Sequence, residues 1–165
     1  MSVGLGFDEL LTWNEEVSAF WKAHLAANPA LLDLPCGIGG AETVLAFVRH
    51  IWSVDLRWAQ RLTNLPEITK DEIPQGPLDA LYAMHSRAVE IYRGLLADAS
   101  QDWSAPYTLT AAWVPAELRT MSRRKVMGHV LLHGQRHWAQ LATLVRNAGF
   151  PSGFRGDLLF SSGLA

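Results

Sequence analysis

Four stretches of this chain repeat apolar residues at the spacing of one helix face, with proline or glycine punctuating the connections between them. From Phe7 to Ala27 the positions are Phe7, Leu10, Leu11, Val17, Phe20, Trp21 and Leu25. The stretch from Ala41 to Leu62 offers Val44, Phe47, Val48, Ile51, Val54, Trp58 and Leu62. From Pro77 to Asp98 come Leu78, Leu81, Met84, Ala88, Ile91, Tyr92 and Leu95. The last stretch starts near Met121, carries Val130, Leu131, Leu141, Leu144 and Val145, and stops at Asn147–Gly149. A helix turns once in about 3.6 residues, so such positions merge into a stripe that needs another apolar surface. Four stripes of similar length predict an all-α four-helix bundle, with residues 1–165 as a single domain.

The breaks agree with that reading. Asn28 precedes Pro29 and so leaves the α region, which ends the first helix. Pro77 suits the first turn of the third. Between the third and fourth helices Tyr107-Thr-Leu-Thr reads as a brief strand, and Trp113-Val-Pro excludes helix. The tail after Gly149 is rich in Gly and Ser but keeps Leu158-Leu159-Phe160, which is expected to fold back onto the body.

Charge excludes several classes. A formal net charge of −2, with 18% charged residues, leaves no electrostatic footprint for nucleic acid and no basic run for an anionic membrane. No apolar run approaches membrane-spanning length, and the start lacks a basic segment followed by an apolar one. One cysteine, Cys36, excludes an internal disulfide, so a cytoplasmic location is expected. With no general base beside it, Cys36 reads as a small loop hydrophobe. The glycines at positions 37, 39 and 40 follow no buried strand and form no phosphate-binding fingerprint.

The chemistry-bearing residues are histidines. Half of the six lie in the fourth helix, at His129, His133 and His137, each four residues from the next. Imidazoles at i and i+4 on one face can close on one metal ion. Successive rings are separated by about 6 Å of rise and the outer two by about 12 Å, while a metal–nitrogen bond is only about 2.1 Å. One ion can therefore take His129 with His133, or His133 with His137, and needs a further ligand from elsewhere. His50 falls within the apolar face of the second helix, between Phe47 and Val54, and requires a partner there: a metal, Asp55 or Arg57. His85 sits beside the stripe of the third helix and is a candidate pocket residue. His24 reads as packing.

Taken together, His50 followed by Asp55 and Trp58, then His129-x3-His133-x3-His137-Trp-Ala-Gln140, resembles the DinB-like superfamily over nearly the whole chain. The resemblance implies a bundle of up-down-down-up course, usually a homodimer, and a divalent ion, zinc or nickel, held by one helix-2 histidine and a His-x3-His pair. Carried across, the ligands are His50, His133 and His137, because the family's pair is the one followed three residues later by glutamine. His129 and Gln140 then join Asp55, Trp58 and His85 as residues around the site. Trp138 stands where arginine is common in relatives, and Gly134 where an acidic residue is common.

Relatives of this kind include transferases that join small bacterial thiols to electrophiles and thiol-dependent maleylpyruvate isomerases. The resemblance thus implies a small thiol and a small electrophile as substrates, with Phe47, Val54 and Trp138 as an apolar wall. A metal-dependent hydrolase and a non-catalytic metal- or ligand-binding bundle are the alternatives, since three neutral imidazoles leave a position open for either chemistry. No catalytic residue is assigned. Imidazoles bind metal only when neutral, so occupancy is expected to fall as pH drops through about 6.5.

Overall fold

Each of the four stripes becomes a helix: α1 (Phe7–Ala27), α2 (Val44–Leu62), α3 (Leu78–Ala97) and α4 (Arg123–Asn147). The computed structural model describes residues 4–110 and 114–163, so the expectation at Trp113 lies outside the described residues. Local chemistry sets the ends. Ser122 caps α4 by accepting from the Lys125 amide at 3.2 Å, satisfying one of the donors left free at a helix start. Helix α2 begins three residues later than its apolar pattern suggested. Residues 41–43 are drawn into a loop ladder in which Cys36 and Gly37 donate their amides to Glu42 and Ala41. Thr43 then becomes the cap, accepting from Ala46 at 3.2 Å. Pro77 occupies the position just before α3 rather than its first turn, with no side-chain bond to the helix start.

Helix α1 packs against α3 and α4, and α2 packs against the same two. Between α1 and α3, Glu15 pairs with Arg93 and Lys22 with Asp79. Between α2 and α4, Phe47 meets His137 and Trp58 meets His129. The core at the centre is aromatic. Trp21, Trp52 and Trp138 are fully buried, with Trp21 stacked on Trp138 at 5.7 Å between ring centres. Indoles bury on the order of 150–250 Å² each, worth several kcal/mol apiece at roughly 25 cal/mol per Å². Trp138 therefore belongs to the core and not to the wall of a pocket beside the histidines. It follows His137 directly, and one step along a helix turns a side chain by about 100°, away from its neighbour's face.

Gly134 also faces the core. A methyl there would come within 3.3 Å of the Asn14 amide nitrogen, which donates to the Leu131 carbonyl at 3.0 Å. The missing side chain lets α1 approach α4 closely, which offsets the roughly 1 kcal/mol that a mid-helix glycine costs.

Strands β1 (Pro106–Thr108) and β2 (Thr120–Ser122) form a short antiparallel ribbon with Tyr107 opposite Met121. It leads straight into α4. The tail does return to the body, but by a different anchor than its apolar triplet. Phe154 packs on Phe20 and Trp21, and the Trp13 indole donates to the Gly156 carbonyl at 3.1 Å. Leu159 and Phe160 stay 86% and 52% exposed. Among the described residues, no helix is long and apolar enough to cross a membrane.

Candidate metal centre

Helix phase decides which histidines meet. On α2 the buried arc centres near Val48, Asp55 and Ala59, with Phe47 and Trp58 on its flank, and His50 lies just beyond that flank. It is exposed, not inside the apolar face. Its expected partners are engaged elsewhere: Asp55 with His85, and the Arg57 Nε–H with the Ile68 carbonyl at 3.2 Å. What faces His50 is α4. Its ring lies 5.5 Å from that of His133 and 5.3 Å from that of His137. One ligand atom from each of His50, His133 and His137 can be chosen so that all lie within 4.8 Å of one another.

These three also fit an ion by their chemistry. The Nε2 atoms of His133 and His137 are 3.1 Å apart, close to the edge of about 3.4 Å for a tetrahedron with 2.1 Å bonds. Gln140 Oε1 accepts from His137 Nδ1 at 2.8 Å. That bond selects the tautomer whose Nε2 lone pair faces the cluster, the usual arrangement behind a ligating imidazole. The same edge of about 3.4 Å applies to His50, so a separation of up to 4.8 Å closes when that exposed side chain moves inward by about 1 Å. The Phe47 and His137 rings are nearly perpendicular with 5.0 Å between centres, and Phe47 is buried.

Electrostatics keep the rings neutral. Partial burial lowers the His133 pKa to about 3, with His137, His50, His129 and Arg136 adding repulsion. The facing rings of α4 strip water from the His50 imidazole, although the residue stays exposed overall, and this lowers its pKa first, with repulsion from His137, Arg136 and Arg57 next. His137 is lowered chiefly by burial, against the Gln140 bond that raises it. The pH window for proton competition therefore lies below the ordinary 6.5.

A stability prediction follows for metal-free protein. Protons bind these histidines in the unfolded chain from about pH 6.5 downward, but bind the folded cluster only at lower pH. Stability should be level above that point and fall as pH drops from 6.5 toward 3. Asp55, raised by burial, works in the opposite direction as a single group. Chelator-treated protein melted between pH 8 and pH 4 checks this, and a melting temperature that rises on acidification would overturn it.

The remaining candidates sit in two places. His129 continues the row, 5.8 Å from the His133 ring and 5.7 Å from Trp58, and is not in the three-histidine set. His85 is buried away from the surface, with its Nδ1 3.0 Å from Asp55 Oδ2. The field of Asp55 still reaches His137. One residue escaped the sequence reading: Arg136, whose Nη2 is 3.3 Å from His137 Nε2. Its position three residues after His133 places it on the same face, which was the available signal.

A family model described as DinB family matches residues 1–155 of the chain. No curated protein matches it.

Proposed function

The chain belongs to the DinB family, and on that footing we propose that it is a metal-dependent enzyme transferring a small thiol to an electrophile. The observation that carries the reading is the meeting of three neutral imidazoles from α2 and α4, with ligand atoms within 4.8 Å of one another. His50, His133 and His137 would hold the ion, zinc or nickel by donor type, and Gln140 would orient His137. A bound divalent ion would supply an open coordination position and lower the pKa of a thiol, which is about 8.5 when free. The sulfur would provide the electron pair of the new carbon–sulfur bond, the leaving group would depart with the pair of the broken one, and the thiol proton would pass to solvent. With Phe47 and Trp138 buried, the half-buried Val54 is the residue of the expected apolar wall left open to an electrophile.

The bundle's course belongs to the same reading. Glu15–Arg93 and Lys22–Asp79 run in opposite senses along α1 and α3, as Phe47–His137 and Trp58–His129 do along α2 and α4. Asn14–Leu131 and Trp21–Trp138 advance together along α1 and α4. These orders support an up-down-down-up course.

The test is a panel of small thiols against a chromogenic electrophile, using metal-loaded and stripped protein side by side. We expect turnover only in the loaded sample. Equal rates in both would overturn the transferase reading, and ester or amide hydrolysis by the loaded form alone would replace it with a hydrolase.

We also expect a homodimer in the cytoplasm. Leu118, Leu132, Leu159 and Phe160 are each more than half exposed, an apolar surplus that a second copy could cover. An interface of about 1,200 Å² or more in total is the expected scale. Light scattering at micromolar concentration should give twice the 18.3 kDa chain mass, and a monomer mass would refute the dimer.

A further inference from the structure

The charged side chains that flank the three histidines toward the surface, Arg136 and Arg57, are both cations. Arg136 lies on the histidine face of α4, its Nη2 3.3 Å from His137 Nε2. Arg57 follows His50 by seven residues, two turns along the same edge of α2, and its Nε–H to the Ile68 carbonyl holds it there. Both guanidinium groups act on His50, and Arg136 acts on His129, His133 and His137 as well. Among the described residues the ligand set itself contains no carboxylate. Asp55, whose field reaches His137, is buried and bound to His85, so it cannot swing out to neutralise them. An ion of charge +2 on three neutral imidazoles would add to two fixed cations. A ligating His137 also gives up the Nε2 lone pair that Arg136 now faces, which leaves the guanidinium seeking another acceptor.

We propose that Arg136, with Arg57 behind it, forms an anion subsite beside the three histidines, and that the thiol substrate carries a carboxylate bound there. This rests on the metal-site reading above and specifies its substrate class. A guanidinium offers paired N–H donors in a plane that match the two oxygens of a carboxylate. The anionic substrate would also relieve the excess positive charge, which a neutral thiol cannot do.

Two probes of nearly equal size separate the effect of charge from that of sulfur: 3-mercaptopropionate and 3-mercapto-1-propanol. Each is titrated into untagged cobalt-loaded protein, with the visible cobalt spectrum reporting thiol ligation. The expected result is at least tenfold tighter binding of the carboxylate thiol. Arg136→Gln should bring that preference to within about threefold, Arg136→Lys should keep part of it, and Arg57→Gln should lower it by a smaller factor. Both residues lie at least partly on the surface, so the variants are expected to fold. Equal affinities in the unaltered protein, or an unchanged preference in Arg136→Gln, would overturn the subsite while leaving the metal site standing. A chain that takes up no cobalt, or shows no spectral response to either thiol, would overturn the metal-site reading together with the subsite.

Discussion

Replacing His133 with alanine should lower zinc affinity more than about a hundredfold. Removing a group that merely orients a ligand already costs tenfold to a hundredfold, and His133 is the middle member of the set. Its Nε2 lies 3.1 Å from that of His137, and its ring centre is 5.5 Å from that of His50. Without it, His137 and His50 remain as two donors on different helices with nothing between them. His50→Ala and His137→Ala should lose affinity on a similar scale. Gln140→Ala should fall in the tenfold-to-hundredfold range, because it frees the His137 ring from its 2.8 Å tether without deleting a donor. His129→Ala should stay within a few-fold, since that ring lies outside the set. Competition against a chromophoric chelator, on protein carrying no affinity histidines, ranks the five variants. A His133→Ala protein within tenfold of the unaltered chain would remove the site as drawn, and loss on His129→Ala with retention on His137→Ala would move it one turn toward the start of α4.

The second large effect concerns stability. Asp55→Ala should cost about 3 kcal/mol, because it strands a buried imidazole whose Nδ1 is paired with Asp55 Oδ2. The His85 Nε2 is already buried without a hydrogen-bond partner, so the ring has no second bond to fall back on. At about 2–4 °C per kcal/mol for a domain of this size, the midpoint should drop by roughly 10 °C. The double variant Asp55→Ala/His85→Ala should lose less than the sum of the single changes, since each single change includes the penalty of the orphaned partner. Tyr92 donates to the Asp55 carbonyl at 2.7 Å and should keep the backbone in place in both variants. Additive losses in thermal melts would show that the two side chains are not energetically coupled.

Periodicity alone was enough for the four helices, because one apolar stripe per helix leaves little choice of secondary structure or of layer. The His133–His137 spacing was legible for the same reason: residues four apart on a helix are neighbours whatever surrounds them. What lay between helices was not. His50 and Asp55 are five residues apart on one helix, and the pattern could not say that one would turn to α4 and the other to His85 on α3. Trp138 sits beside a proposed ligand in sequence, yet packing against Trp21 and Trp52 commits it to the core. Gly134 lies between two of the histidines in sequence, yet a side chain there would meet Asn14 of α1, so it belongs to the helix contact and not to the site. The tail's apolar triplet promised an anchor, but Phe154 reached the groove beside Phe20 and Trp21 first. A local spacing is decided by the geometry of one helix, which the chain carries in itself. A pairing between helices depends on their relative rotation and on which side chains win the shared interior, and only the packed bundle decides those.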